Sequence, residues 1–398
     1  MSTRRGSADP VLAYHELLQA DPLADSSLDA LSEMTAHELT IGIEEEYQIV
    51  DSTGELRPHI ETLLRASAQE AVGEQFRAEM IQSVVEVGTG VCSSVDKAFA
   101  EVSQLRSTLA RLLSTEGLRM ACAGTHPFSK WQEQLITEKD RYKMLEDEMQ
   151  DVVREILIFG LHVHVGIPNR ELRMDIMNEA RYFLPHLLAL STSSPFWAGR
   201  DTGLKSYLSV VWSRFPRSGI PPDFESYDEY ENYLEMLVKT GCIDDGKKIW
   251  WDLRSHPYFP TLEFRCCDQT TRIEETICMA GLIQAICAKL LALRSRNLGF
   301  RRYMPALIAE NKWRAMRYGI DGRLIDFGRR AEGPMRELAL ELLEFVDDVV
   351  DSLASRKAVE YVHTILREGT SADRQVRVHR EQGSLSAVVD HLCAETLG

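Results

Sequence analysis

The chain has 398 residues, 44% of them hydrophobic and 27% charged, the proportions of a soluble globular protein built as one large domain or two ordinary ones. A formal net charge of -16 argues against a nucleic-acid backbone or an anionic membrane surface as partner. A phosphate-bearing substrate stays open, because bound cations reverse the local sign.

No apolar run reads as long enough to span a membrane, and the N-terminus lacks the basic-then-apolar layout of a secretory signal. The eight cysteines are scattered with no Cys-x-x-Cys spacing, which points to reduced thiols and a cytoplasmic protein. Residues 1–38 read as an N-terminal arm without chemistry of its own, and residues 39–398 as a single domain. Leu39 to Val50 reads as a strand running into the turn Asp51-Ser52-Thr53-Gly54. Side chains alternate along a strand, so Glu44 and Glu46 share one face, while Ile43, Glu45 and Tyr47 share the other. Two carboxylates set side by side between apolar flanks either hold a hard divalent cation or form a solvated acidic edge.

A helix is expected over His59–Ala71, then a strand over at least Ile81–Val87. Glu79 and Glu86 are seven apart, so either a bulge intervenes or Glu79 precedes the strand proper. Val95–Thr115 has helical periodicity through Val95, Phe99, Val102, Leu105, Leu109 and Leu112, with Ser94 as cap. A return strand is expected over Leu118–Gly124. Lys139–Val153 reads as a charged, mostly solvated helix. Ile156–Ile167 reads as a strand that sets His162 and His164 on one face, toward a metal, a phosphate or an overlying helix. Pro185 should divide the helix Glu171–Leu190. The Gly-, Pro- and Arg-rich stretch from Gly199 to Asp223 reads as a substrate loop with Arg200, Lys205, Arg214 and Arg217 as anion contacts. Paired strands follow at Ile249–Arg254 and Thr261–Asp268. There Glu263 and Arg265 share a face, as do Asp252 and Arg254, as simple ion pairs or as metal and phosphate contacts. The adjacent Cys266 and Cys267 should face opposite ways. The remainder reads as helices, beginning with a long apolar one from Arg272 to Asn297. Walker and dinucleotide glycine patterns are absent.

Seven of these stretches, in order, carry a resemblance: Gly-Ile-Glu-Glu-Glu-Tyr (42–47), Glu-Met-Ile-Gln-Ser-Val-Val-Glu (79–86), Gly-Leu-His-Val-His-Val-Gly (160–166), Ser-Ser-Pro-Phe-Trp (193–197), Asp-Leu-Arg-Ser-His-Pro (252–257), Thr-Leu-Glu-Phe-Arg-Cys-Cys-Asp (261–268) and Glu-Asn-Lys-Trp-Arg-Ala-Met-Arg-Tyr-Gly (310–319). Together the chain resembles the carboxylate–amine ligases, also called glutamate–cysteine ligase type 2. The resemblance implies an α+β fold like that of glutamine synthetase, with a curved antiparallel sheet around the active site and helices outside. It implies ATP, Mg2+ (or Mn2+) and amino-acid substrates, and a homodimer. It implies an acyl phosphate joining a carboxylate, typically the γ-carboxylate of glutamate, to an amine such as that of cysteine. By motif, Glu44, Glu46, Glu79, Glu86, His162 and Glu263 match metal ligands, and Arg265 and Glu86 match catalytic positions. The match gives His164 a site position without a fixed role; Arg265, His164 and Arg254 are the candidate ATP contacts, and Thr89, Arg200 and Arg214 the candidate substrate contacts. One departure stands out: Ser206-Tyr207-Leu208 occurs where Ser-Tyr-Arg is expected, which bears on the substrate. A small-molecule kinase on the same core and a non-catalytic ATP-binding homologue are the rival readings.

Overall fold

The computed structural model describes residues 39–397, so the expected arm lies outside the described residues. A seven-stranded antiparallel sheet positions the rest. Its strands are β1 (Ile41–Val50), β2 (Phe76–Ala78), β3 (Val84–Gly88), β4 (Arg119–Ala121), β5 (Gly160–Gly166), β6 (Leu253–Ser255) and β7 (Thr261–Asp268). They run in the order β6-β7-β5-β1-β3-β2, with β4 paired to the C-terminal end of β1. The expected α+β class, with helices packed on an antiparallel sheet, is the one observed.

The two faces of the sheet follow from period-two alternation. On β1, Ile41, Ile43, Glu45 and Tyr47 are buried, while Gly42, Glu44 and Glu46 are half-buried on the other face. The helices that matter here are α1 (Val95–Ser114), α2 (Asp140–Met149), α3 (Arg170–Ala180), α4 (Leu184–Ser191), α5 (Ile273–Arg294) and α6 (Pro305–Tyr318). Ile41 and Ile43 share a core with Val95, Val102 and the apolar side of α5, and Tyr47 and Ile49 share one with Leu105, Leu109 and Leu113. Ser94 caps α1 by accepting from the Lys97 amide at 3.3 Å. Phe99 and Leu112, expected in the core, lie on the two edges of the buried stripe, and Phe99 is 40% exposed. Pro185 sits in the first turn of α4, after a 3-10 turn that divides it from α3.

Several expectations change. Helix α5 is long and apolar enough to cross a membrane by length and composition; it is buried along most of its length, as a core helix is. β7 slips register between Phe264 and Cys267. That bulge brings the Cys266 and Cys267 sulfurs within 3.9 Å of each other, where unbroken alternation would have separated them. Asp252 does not repeat the Glu263–Arg265 pattern. It lies in a bend before β6 and accepts from the buried Lys312 Nζ of α6 at 2.7 and 2.8 Å. A hairpin at Arg323–Asp326 and Ala331–Pro334 interrupts the expected run of helices.

Candidate active site

The polar face of the sheet carries three cross-strand rows. Arg254, Glu263, His164 and Gly42 stand opposite one another across β6, β7, β5 and β1. His162, Glu44 and Gly88 form the next row, and Glu46, Glu86 and Arg77 the third. Gly160 leaves room for one of these side chains: a Cβ there would stand 3.1 Å from His162 Nε2. Glu79 precedes β3, in the turn that returns from β2, so no bulge is needed to bring it to the same face. Its carboxyl shares a hydrogen bond with that of Glu86.

Above this face lies a cavity of about 730 Å³ whose walls include Glu44, Glu46, Glu79, Glu86, His162, Arg254 and Arg265. Glu263 and His164 adjoin it: with Glu44 they place donor atoms within 4.8 Å of one another. His164 Nδ1 bonds Thr261 Oγ1 at 3.0 Å, while its buried Nε2 has no hydrogen-bond partner and lies 3.8 Å from a Glu44 oxygen. His162 Nδ1 lies 3.4 Å from the same Glu44 oxygen and 3.4 Å from Arg265. Among the described residues this three-ligand grouping contains His164, whose match carries no fixed role, rather than His162, the histidine matched to the metal.

Electrostatics divide the carboxylates into two sets. Burial would raise Glu44, but the neighbouring imidazoles of His162 and His164 hold it well below the usual carboxylate range. Burial is likewise outweighed at Glu263 by Arg254 and Arg265, so it too stays ionised. Glu46 is pushed up to about 8 by burial, against the Gly160 amide that donates to it at 2.7 Å and with the charges of Glu86 and Glu44 adding to the rise. Burial and then Glu46 raise Glu79, and burial and then Glu79 raise Glu86 well above its ordinary value. Burial and Arg265 depress His162; His164 is raised because Glu44 and Glu263 outweigh its burial. A set of hard oxygens that repel each other, beside imidazole nitrogens, one of them unpartnered, fits a hard divalent cation.

Arg265 donates to Glu263 at 2.5 Å, lies over the Trp212 ring and leaves its buried Nε unpartnered. Arg254 is fully engaged, donating to Glu263 and to the carbonyls of Lys247 and Ile249. Three expected substrate contacts lie off the cavity wall. Thr89 Oγ1 accepts from the Ile43 amide at 3.0 Å and so anchors β1. Arg200 is exposed in a two-residue strand, and Arg214 pairs with Glu155. Of the other two arginine-loop cations, Lys205 pairs with Asp373, and Arg217 bonds the Lys248 carbonyl.

The cavity also has walls that the sequence reading did not assign. Arg77, Lys139, Arg141 and Lys247 line it, as do Tyr142, Trp250, Tyr258 and Phe259. Arg77 could have been found from its place between Phe76 and Ala78, on the alternate face of a short strand. Tyr142, expected at the surface, is buried and donates to the Ala78 carbonyl at 2.8 Å. Other motif residues act as scaffold. Asp268 accepts from the Ser193 amide and from the Ser194 and Ser206 hydroxyls, which ties the Ser-Ser-Pro-Phe-Trp stretch to β7.

The model of glutamate–cysteine ligase family 2 matches residues 40–391. A protein of Chloroflexus aggregans, provisionally named glutamate–cysteine ligase 2, is 55% identical over 359 residues, 90% of this chain and 92% of its own. One of Herpetosiphon aurantiacus with the same provisional name is also 55% identical, over 90% of this chain and 93% of its own. Among solved structures, the glutamate–cysteine ligase of Francisella tularensis in complex with AMP superposes with a TM-score of 0.65 at 13% identity, over 92% of this chain and 90% of that one. A bifunctional glutathione synthetase from Pasteurella multocida gives 0.68 at 15% identity over 98% of this chain, which spans about half (54%) of that protein. These likenesses show that the chain shares its fold with those two enzymes. With a family model matched over nearly all the described residues and relatives at 55% identity, the chain belongs to glutamate–cysteine ligase family 2.

Proposed function

We propose that the chain is an ATP-dependent carboxylate–amine ligase that joins the γ-carboxylate of glutamate to an amine, such as that of cysteine, through an acyl phosphate. The observation that carries this reading is the meeting of Glu44, Glu46, Glu79, Glu86, His162 and Arg265, from separate parts of the chain, on one cavity wall. Those carboxylates, with Glu263 and an imidazole of β5, would hold magnesium. Bound magnesium supplies neutralising charge for the nucleotide phosphates.

A carboxylate is a poor electrophile, so amide formation needs activation. A γ-carboxylate oxygen attacks the terminal phosphorus of ATP and the bond to the leaving ADP oxygen breaks. The amine nitrogen then attacks the acyl carbon, the carbon–oxygen bond to phosphate breaks, and the nitrogen loses a proton. Phosphoryl transfer of this kind is governed by positioning and charge neutralisation rather than by a protein nucleophile. Arg265 faces the acidic centre and would bind the transferring group. Arg254 keeps Glu263 ionised and fixed. Arg77, Lys139, Arg141 and Lys247 offset the carboxylates at the cavity wall, which suits anionic substrates in a protein of negative net charge.

The test is direct. The protein is incubated with ATP, magnesium, glutamate and a panel of amines, phosphate release is measured, and products are weighed by mass spectrometry. Amine-dependent release with an amide product is expected. A stable phosphorylated product without amide would replace the ligase by the kinase reading, and no amine-dependent release from a folded sample would overturn the proposal.

A further inference from the structure

A third histidine stands at the acidic centre. His256 follows β6, opens the turn to β7, and lines the large cavity with its ring 5.5 Å from that of His164. Its hydrogen bonds exclude it as a further metal ligand. Nδ1 accepts from the Tyr258 and Phe259 amides at 3.2 and 2.9 Å. A ring nitrogen that accepts from N–H groups offers them its lone pair, so the neutral ring carries its proton on Nε2. Nε2 is therefore a donor and has no lone pair for a cation. Phe259 stacks on the ring at 4.5 Å and 11°, which fixes its plane. His256 makes no other hydrogen bond among the described residues, so its N–H awaits an acceptor.

A cation stands on the same stretch of wall. Lys247 Nζ lies 4.4 Å from the centre of the Tyr258 ring, and the His256 ring lies 6.2 Å from the same centre. Lys248 beside it is paired with Glu148, whereas Lys247 has no ion pair among the described residues. The support is fixed in place. Asp245 accepts from the Lys247 amide at 2.7 Å and from the Tyr258 hydroxyl at 3.1 Å, and Arg254 donates to the Lys247 carbonyl at 3.0 Å.

One ammonium and one neutral N–H match a single negative charge. A triphosphate carries several, and the carboxylate that is phosphorylated must sit with it at the acidic centre, beside Arg265. The anions left over are the carboxylates that take no part in bond making, the α-carboxylates of the amino-acid reactants. We propose that His256 and Lys247 form a subsite for such an α-carboxylate, His256 through its Nε2–H and Lys247 through its charge. The inference rests on the ligase reading above and adds the residues that select an amino acid over its decarboxylated counterpart.

Reactants with and without that carboxylate read the subsite directly. The kcat/KM for phosphate release is compared for glutamate against 4-aminobutyrate as the activated acid, and for cysteine against cysteamine as the amine. The unmodified enzyme is expected to prefer the carboxylate-bearing member of one pair by about 100-fold, and Lys247→Met and His256→Asn each to cut that preference about tenfold, the scale of a hydrogen bond to a charged group. Asparagine leaves an oxygen where Nδ1 accepts the two amides and removes the Nε2 donor, so the turn keeps its bonds; the melting temperature is the folding control. The pair whose preference falls names the reactant held there. Variants that lower kcat/KM alike for both members of each pair, or that raise only the KM for ATP, overturn this inference and leave the ligase reading standing. So does an unmodified enzyme indifferent to the carboxylate in both pairs, whether or not the variants fold. Absence of turnover with every reactant removes both.

Discussion

At the scale of single residues, neighbours on one strand do opposite jobs. Glu44 and Glu46 face the cavity, while Glu45 between them is buried among core residues and ion-paired with Arg106 of α1 at 2.5 Å. Thr276, Gln269 and the Tyr47 hydroxyl also donate to Glu45. Gln269 closes the set by accepting from the Glu46 amide. The buried pair thus pins the strand whose other face carries the acidic cluster. Removing one partner of such a pair leaves a buried charge alone, so Arg106→Ala should cost about 3–5 kcal/mol, read by urea denaturation. A loss below about 1 kcal/mol would show that Glu45 is satisfied without it. Glu86 should behave in the opposite sense. It stands directly across from Glu46, and its raised pKa means that ionisation there opposes folding. Glu86→Gln should therefore raise the stability of the magnesium-free protein at pH 8 by about 1 kcal/mol. The same change should lower ligase turnover by about 10²–10³-fold, as loss of charge stabilisation at a reacting centre does. A variant less stable than the parent in EDTA would refute the repulsion.

At the scale of elements, period-two alternation made the facing pairs Glu44/Glu46 and His162/His164 legible, because strand geometry alone fixes them. What stayed hidden depended on long-range packing. Glu79 reaches the cluster through a turn, and no spacing rule encodes a turn's direction. Arg106 reads as one more polar residue on an amphipathic helix; only the fold shows that it points inward at Glu45. The β7 bulge that draws Cys266 and Cys267 together is equally silent in the sequence. The helix expected from Lys139 to Val153 breaks at Gln150, whose φ of 51° and ψ of -126° are the angles of a residue without a side chain. Gln150 is exposed, and its side chain bonds the Asp147 carbonyl and Arg154 on the surface. Gln150→Gly should relieve the strain and raise stability by about 1 kcal/mol despite the loss of those bonds. Its denaturant midpoint should rise with an unchanged slope. A lower midpoint would mean that the surface bonds outweigh the backbone.

At the scale of the whole molecule, two sets of buried groups pull stability in opposite directions with pH. His126 and His186 are each pushed down to about 4 by burial. His126 is neutral for a structural reason: its Nδ1 accepts from the Ser129 and Phe128 amides while Nε2 bonds the Gly54 carbonyl. A depressed histidine binds fewer protons folded than unfolded, so its contribution is complete above the ordinary value of 6.5 and is lost as pH falls toward 4. Glu46, raised from 4.5 to about 8, works the other way. Its folded form holds the extra proton, so its contribution is complete below 4.5 and is lost as pH rises through 8. Each group changes stability by about 1.4 kcal/mol per pH unit inside its own window. Between pH 8 and 6.5 only the carboxylate term operates among these three, and stability rises on acidification. Below 6.5 the two histidines begin to oppose Glu46 and the other raised carboxylates, Glu79 and Glu86, so the gain on acidification is cut back. Magnesium-free protein should accordingly show a higher urea midpoint at pH 6.5 than at pH 8. Saturating magnesium replaces the proton at the cluster and favours the ionised carboxylates, so it should lift the pH 8 midpoint most and leave the acid limb nearly unchanged. A pH 8 midpoint that stays as far below the pH 6.5 one with magnesium saturating would mean that the cation does not bind where Glu46 titrates.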